Sequence, residues 1–234
     1  MKAAPARAKA SRRPTVVLTS RAVKAAIAER NVEVVLGEGF LIHPQIDLGQ
    51  CGADLDLLTG LGTRKVNCVG LEPDIVRSHD QFAKFAALAA KRGMSATIEF
   101  MPFVAIDSLA KALDCAAAAG NGNGSVLLDS MHVFRTGTSL ADIAALDPAM
   151  IGHVQLSDAQ SDWSDADYMT HAKFERLAPG EGDLPLREFL GAVPDGLVMG
   201  LEVPQRANAL AGPDHRARIA DLLSASRSFA TGLL

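Results

Sequence analysis

Short apolar segments alternate along the chain with segments whose apolar residues recur at helical spacing. We predict strands in the apolar segments, at residues 32–36, 64–69, 95–100, 125–129, 151–157 and 197–202. We predict helices between them, at residues 21–30, 52–61, 81–92, 108–119, 139–146, 184–191 and 213–230. Asp80 and Asp107 are the predicted N-caps of two of these helices. Repeated strand–helix units with apolar strands are typical of a parallel sheet covered by helices.

The predicted fold class is α/β, a (β/α)8 TIM barrel. The chain has 234 residues, slightly fewer than the about 250 that such a barrel usually needs, and the shortfall lies at the N-terminus. This leaves open whether the barrel lacks one or two strands there, and Pro14–Ser20 (PTVVLTS) could supply a seventh. Residues 1–14 are basic and contain no acid, which predicts a disordered tail, and residues 15–234 are predicted to form a single domain.

The composition argues against several classes of protein. The net charge of −4 gives no reason to expect nucleic-acid binding. No run approaches the 18 or so apolar residues of a membrane span, so no membrane contact is expected. Three cysteines match no zinc motif, and we expect them to be buried, reduced side chains of a cytoplasmic protein.

Four of the predicted strands end in a side chain that can bind a metal. They are Glu99 after ATI, Asp129 after VLL, Gln155 in IGHVQ and Glu202 after VMGL. In a parallel barrel the carboxyl ends of the strands converge on one face, where reactions occur. Three carboxylates and one amide there could hold one divalent cation. Oxygen ligands favour Mn²⁺ or Mg²⁺, and Co²⁺ and Zn²⁺ stay open.

Three further residues are candidates for contact with a substrate. His132 follows Asp129 by three residues, so both can face the same pocket. His153 lies two residues before Gln155, and alternation along a strand puts both on one face, so that either could reach the cation. Arg176 begins the glycine-rich segment RLAPGEGDLPL and could donate to substrate oxygens in fork geometry.

Each of these residues also has a purely structural interpretation. Glu99 could end its strand in a salt bridge, and Asp129 could cap a following turn. Gln155 could be a simple hydrogen-bonding strand residue, and His132 a satisfied structural histidine. The polar stretch 158–182 has no periodicity, and a stretch of this length is predicted to be an active-site loop.

Two glutamates beside one cation suit one kind of chemistry. A cation that polarises a carbonyl favours loss of a proton from the neighbouring carbon through an enediolate. Either Glu99 or Glu202 would remove the proton, and the other would return it to the same or the adjacent carbon.

The motifs together resemble the xylose isomerase-like TIM barrel superfamily of sugar isomerases, epimerases and related dehydratases. The matching segments are IEFMP (98–102), LLDSMH (127–132), GHVQLSD (152–158), RLAPGEGDLPL (176–186) and LEVP (201–204). The resemblance implies that Glu99, Asp129, Gln155 and Glu202 bind one divalent metal. It also implies that the two glutamates are the acid/base pair and that His132 and Arg176 contact substrate. A glutamine at position 155 is similar to the hydroxypyruvate isomerase-like branch.

The leading prediction is therefore a metal-dependent isomerase or epimerase of a small sugar or hydroxy-carbonyl compound. One alternative is a lyase of the inosose or dehydroshikimate dehydratase type, which would expel a β-hydroxyl after the same proton abstraction. Another is an inactive, incomplete barrel, or a chain whose start is misassigned. The expected partner is a small-molecule substrate, and exposed sheet edges leave a homodimer open.

Overall fold

The structure of the protein is a computed structural model that describes residues 20–120, 122–162, 164–212 and 214–231. Its strands are β1 (Gly37–Ile42), β2 (Lys65–Gly70), β3 (Ser95–Glu99), β4 (Gly124–Asp129), β5 (Ile151–Leu156) and β6 (Met199–Leu201). Its first helices are α1 (Ser20–Glu29), α2 (Gly52–Gly60), α3 (Ile75–Ala90), α4 (Leu109–Ala117) and α5 (Ser130–Arg135). The remaining helices are α6 (Leu140–Ala144), α7 (Asp165–Phe174), α8 (Leu186–Ala192), α9 (Arg206–Ala211) and α10 (His215–Thr231).

The chain divides into two compact units, Met1–Glu33 and Val34–Leu234. The described part of the first unit is α1 and the residues that follow it. Asn31 adopts a left-handed conformation, with φ of 50°, and the helix ends there as predicted. The predicted tail, residues 1–14, and all but the last residue of the predicted strand Pro14–Ser20 lie outside the described residues. Ser20 itself begins α1 rather than ending a strand.

The six strands in the described part of the second unit are all parallel and lie in chain order, β1 to β6. They alternate with helices, which confirms the α/β class and gives a partial (β/α)8 barrel within the described residues. Alternation along each strand puts Val66, Ile98 and Leu128 in the apolar core beneath α3 and α4. The opposite face carries polar side chains such as Asn67 and Glu99, joined by a hydrogen bond. Strands β2 and β3 therefore pack apolar side chains against the helices and direct polar side chains to the barrel interior, whereas β6 has no buried residue.

The first predicted strand of this unit was placed incorrectly. Residues 32–36 have no regular structure, and the strand is β1, Gly37–Ile42. Val35 is 40% exposed, whereas Phe40 and Ile42 are buried and pair with β2. The strand forms where Phe40 can be buried, although the valine run has the higher β-propensity. This is expected because β-propensity largely reflects how well side chains pack.

The predictions of helix starts were also corrected in two places. Asp74, not Asp80, is the N-cap of α3, and Asp80 lies within the helix in an ion pair with Lys84. Ser108, not Asp107, caps α4. In both cases another residue within reach accepts hydrogen bonds from the free backbone N–H groups of the first turn.

The stretch 158–182 is not the structureless loop that the sequence predicts. It contains α7, which Ser164 caps by accepting a hydrogen bond from the backbone N–H of Asp167. Two short helices, α5 and α9, were likewise not predicted. The other strand ends fall within two residues of the predicted positions.

Two further findings concern the helices and the cysteines of the described residues. None of the described helices combines the length and the apolar character that crossing a lipid bilayer requires. Cys51, Cys68 and Cys115 are buried free thiols, which confirms the interpretation of them as small apolar side chains.

The cap of α3 makes a direct test of this fold. The Asp74 carboxylate accepts from the backbone N–H groups of Val76, at 3.0 Å, and Arg77, at 3.2 Å. Asp74→Ala should therefore lower the free energy of unfolding by about 1 kcal/mol. Asp74→Asn keeps an acceptor and should lower it less. Urea unfolding of the three proteins measures this, and equal losses in both variants would contradict the capping role.

Candidate functional site

The polar residues predicted at four strand ends converge on one face of the partial barrel. Glu99 is the last residue of β3 and Asp129 the last residue of β4, and both are buried. Gln155 pairs in register with Asp129, and Glu202 directly follows β6. Ligand atoms of Glu99, Asp129 and His132 lie within 4.8 Å of one another, which makes them a possible metal site.

Asp129 combines a structural and an electrostatic role. Its Oδ1 accepts the backbone N–H of His132 at 3.1 Å, so it caps α5 as the structural interpretation proposed. Its Oδ2 accepts a hydrogen bond from Nη1 of Arg176 at 2.5 Å. Burial alone would raise the pKa of Asp129. The charge of Arg176, together with hydrogen bonds from Arg176 and from the backbone N–H of His132, outweighs burial and holds the pKa below its ordinary value.

Arg176 is buried and links three parts of the site. Its Nε donates to the backbone carbonyl of Ala172 at 2.7 Å, which fixes the guanidinium at the end of α7. Its Nη1 also donates to Ser157 Oγ at 3.2 Å and lies 3.3 Å from Glu202 Oε2. The guanidinium therefore stands between the carboxylates of Asp129 and Glu202.

Glu202 is the most accessible of the clustered carboxylates. Its side chain is 39% exposed, whereas that of Asp129 is fully buried. Its backbone N–H donates to the carbonyl of Leu156, which holds the residue at the end of β5. Burial raises the pKa of Glu202, Arg176 opposes this shift, and Asp129 adds to it.

His132 bridges Glu99 and Tyr168. Its Nε2 lies 3.4 Å from Glu99 Oε1, and its Nδ1 lies 2.5 Å from the hydroxyl of Tyr168. Burial raises the pKa of Tyr168, so the phenol stays protonated. A phenol that donates to Nδ1 leaves the other ring proton on Nε2, facing Glu99. Tyr168 thus fixes how the imidazole is presented to the carboxylate.

Gln155 crosses the barrel interior to β1. Its Nε2 donates to Glu38 Oε1 at 2.8 Å, and its Oε1 is buried without a hydrogen-bond partner. Burial raises the pKa of Glu38, and the amide of Gln155 opposes this shift. Asn67 joins the network because its Nδ2 donates to Glu99 Oε2 at 2.9 Å. A buried amide oxygen without a partner is rare in folded proteins.

His153 is not brought into this cluster. It pairs with Leu127, one inward-facing position below the pair formed by Asp129 and Gln155. Burial and the neighbouring charge of Lys65 lower the pKa of His153 to about 4. Lys65 begins β2, so His153 lies toward the other end of the strands. This position does not favour its predicted contact with substrate.

A cavity of about 750 Å³ opens over the cluster. Its polar lining includes Glu38, Asn67, Glu99, His132, Arg176 and Glu202. Apolar side chains such as Met101, Phe174 and Leu201 complete the wall. The volume lies within the usual range for small-molecule sites, as does the combination of apolar walls with a few convergent polar groups.

Three residues of the site were not predicted from the sequence. Asn67 is a polar residue inside the apolar segment KVNCVG, and this pattern could have identified it. Glu38 lay in a presumed turn because β1 had been placed too early. Tyr168 is the only tyrosine of the chain and fell in the presumed loop, where no periodicity drew attention to it.

Comparison with known proteins agrees with this fold. The family model described as xylose isomerase-like TIM barrel matches residues 5–225. The chain therefore belongs to the xylose isomerase-like TIM barrel family. Among curated proteins, no sequence match was found.

Solved structures of this fold include proteins of several activities. One is the IolI protein with a bound zinc atom, with a TM-score of 0.72 and 15% identity over 90% of this chain and 81% of that chain. A D-allulose 3-epimerase from Methylomonas sp. has a TM-score of 0.68 and 16% identity over 93% and 83% of the two chains. The probable 3-DHS dehydratase AsbF from Bacillus anthracis, involved in petrobactin synthesis, has a TM-score of 0.68 and 18% identity over 91% and 81%.

The ion pair of Arg176 with Asp129 predicts a stability effect. Arg176→Ala leaves a buried carboxylate without its counter-charge, so the metal-free protein should lose about 3–5 kcal/mol of unfolding free energy. Arg176→Lys keeps a positive charge and should lose less. Chemical denaturation in the presence of a chelator measures both variants. An unchanged stability in Arg176→Ala would show that the pair does not form in the folded protein.

Proposed function

We propose that this chain is a divalent-metal-dependent enzyme that isomerises or epimerises a small sugar or hydroxy-carbonyl compound. The observation that carries the proposal is that ligand atoms of Glu99, Asp129 and His132 lie within 4.8 Å of one another, with Glu99 and Asp129 at the ends of neighbouring parallel strands. Membership of the xylose isomerase-like family supports it, and so does the fold that the chain shares with an epimerase.

The residues present fit a divalent cation. Glu99, Asp129, Gln155 and Glu202 would hold it, three through carboxylate oxygens and one through an amide oxygen. The buried Oε1 of Gln155 without a hydrogen-bond partner supports this assignment, because a cation would satisfy it. All-oxygen ligation favours Mn²⁺ or Mg²⁺. The zinc atom in the related IolI structure keeps Zn²⁺ a candidate.

The remaining polar groups position the substrate and move the proton. When bound, the cation supplies positive charge that polarises a carbonyl and favours loss of a proton from the adjacent carbon. Glu99 and Glu202 are the proposed acid/base pair, one removing the proton and the other returning it. His132, held by Tyr168, and Arg176 both line the cavity and are proposed to donate hydrogen bonds to substrate oxygens.

The buried thiols support one further part of the proposal. Free cysteines that are buried and unpaired, such as Cys68 and Cys115, are typical of proteins from reducing compartments. We therefore propose a cytoplasmic enzyme that acts on a small-molecule substrate.

Proton exchange tests the reaction most directly. The wild-type protein with Mn²⁺ should exchange carbon-bound protons of its substrate with D₂O, measured by NMR across a panel of small ketoses. Glu99→Gln and Glu202→Gln remove the acid/base groups without a change of shape, so each should abolish exchange and leave the fold intact. Glu188→Gln, at an exposed position on α8, is the matched control and should be fully active. Full activity in either site variant would remove the two-glutamate mechanism.

Mass measurement on the same panel separates the reaction classes. Isomerisation and epimerisation leave the mass of the substrate unchanged, whereas a dehydratase removes water. A product lighter by one water would replace the isomerase proposal with the lyase alternative.

Metal binding has its own test in thermal melting. A ligand that binds only the folded protein stabilises it, by about 2.7 kcal/mol at one hundred times its Kd. For a chain of this size Mn²⁺ at that level should raise Tm by roughly 5–11 °C. Asp129→Asn should show a much smaller rise than the wild type. No shift in the wild type would favour a barrel without metal chemistry.

A further inference from the structure

We infer that Glu38 is a positioning residue that fixes which end of the Gln155 amide faces the metal site. The inference rests on the proposed function above, since it concerns the ligand set of the same cation. Glu38 lies outside the family motifs in the sequence and was not predicted to belong to the site. It is 117 residues from Gln155 along the chain, yet the two side chains are joined by a hydrogen bond of 2.8 Å.

An amide ligand differs from a carboxylate because only one of its two ends can bind a cation. Rotation of the terminal amide by 180° exchanges an oxygen acceptor for an N–H donor. A glutamine facing a metal therefore needs a neighbour that distinguishes the two ends. An ionised carboxylate accepts hydrogen bonds and donates none, so it selects the nitrogen and turns the oxygen away.

The contacts of Gln155 have this arrangement. Nε2 donates to Glu38, and Oε1 is buried without a hydrogen-bond partner. Gln155 is 4% exposed, so solvent does not compete for the amide. The free oxygen belongs to a residue that pairs with Asp129, whose carboxylate is part of the possible metal site.

Glu38 is itself held by a second oriented amide. Thr97 Oγ1 donates to Asn67 Oδ1 at 2.8 Å, which fixes the direction of the Asn67 amide. The Asn67 nitrogen then donates to Glu99 Oε2 and also interacts with Glu38. Hydrogen bonds thus join Gln155 to Glu38 and Asn67 to Glu99, and Asn67 lies close enough to Glu38 to interact with it. These contacts orient two of the proposed metal ligands.

Glu38 could act by orienting the Gln155 amide or only by supplying negative charge near the metal site. These two roles predict different results for two variants of Glu38. Glu38→Gln removes the charge and keeps a carbonyl oxygen that can accept from Gln155, but it also adds an N–H donor, so the preference for one end of the Gln155 amide is only partly kept. Glu38→Ala removes both the charge and the acceptor. If Glu38 acts by orientation, the first variant loses part of the metal affinity and the second loses more.

The experiment is a titration of metal-free protein with Mn²⁺, followed by calorimetry and by the electron paramagnetic resonance signal of free Mn²⁺. Glu38→Ala should bind about 10–100-fold more weakly than the wild type, as expected when a residue that orients a ligand is lost. Glu38→Gln should bind with an affinity between those of the wild type and Glu38→Ala. Asp80→Ala, which removes one negative charge at an exposed position, is the matched control for net charge and should bind as the wild type does.

A double variant separates orientation of Gln155 from a general structural effect. Without the amide there is nothing to orient, so Glu38→Ala should cost nothing further in a Gln155→Ala background. Circular dichroism checks that all variants are folded. The inference is overturned if Glu38→Ala binds like the wild type, if Glu38→Gln is as weak as Glu38→Ala, or if the loss persists in the Gln155→Ala background.

Failure of the proposed function gives a different pattern. In that case the wild type binds no Mn²⁺, or Asp129→Asn binds it as well as the wild type does. The first result overturns the metal site and the role of Glu38 together. The second overturns the ligand set from which the role of Glu38 follows.

Discussion

The buried ion pair between Arg176 and Asp129 is the interaction on which the site depends. Asp129 is the last residue of β4 and the N-cap of α5, so the strand and the helix together fix where its carboxylate lies. A carboxylate in such a buried place needs a compensating charge. Arg176 supplies that charge from a distant segment and also faces Glu202. Three separate parts of the chain are thereby held in one arrangement, and the cavity above them keeps its polar floor.

The site combines rigid and accessible groups in a way that suits chemistry on a small molecule. Glu99 and Asp129 are fixed in the sheet and buried, and Glu202 lies at the cavity surface with a half-exposed side chain. His132 presents one ring nitrogen to Glu99 because Tyr168 occupies the other. Glu99, His132, Arg176 and Glu202, which line the cavity, each have a partner within the site. Such preorganisation is what an acid/base site requires.

Much of this arrangement could be predicted from the sequence, and the reasons for the exceptions are physical. Glu99, Asp129 and Glu202 follow apolar runs, and the convergence of parallel strand ends is a property of the fold class, so local patterns were enough. Glu38 was missed because the valine run before it has higher strand propensity, and only the burial of Phe40 decides the register. Tyr168 was missed because α7 has a mostly polar sequence without helical periodicity. His153 and Gln155 share a strand face, and their depth in the barrel depends on pairing with β4, which no local pattern reveals.

One segment between β5 and α8 provides both the phenol that holds His132 and the guanidinium that holds Asp129. Residues that line the cavity and the counter-charge of Asp129 therefore lie in the same stretch, which is α7 and the residues after it. Exchanging this segment with that of a relative would replace part of the cavity wall and, with it, the positive charge that compensates Asp129. We expect such chimaeras to fold only when the incoming segment contains a positively charged side chain that pairs with Asp129.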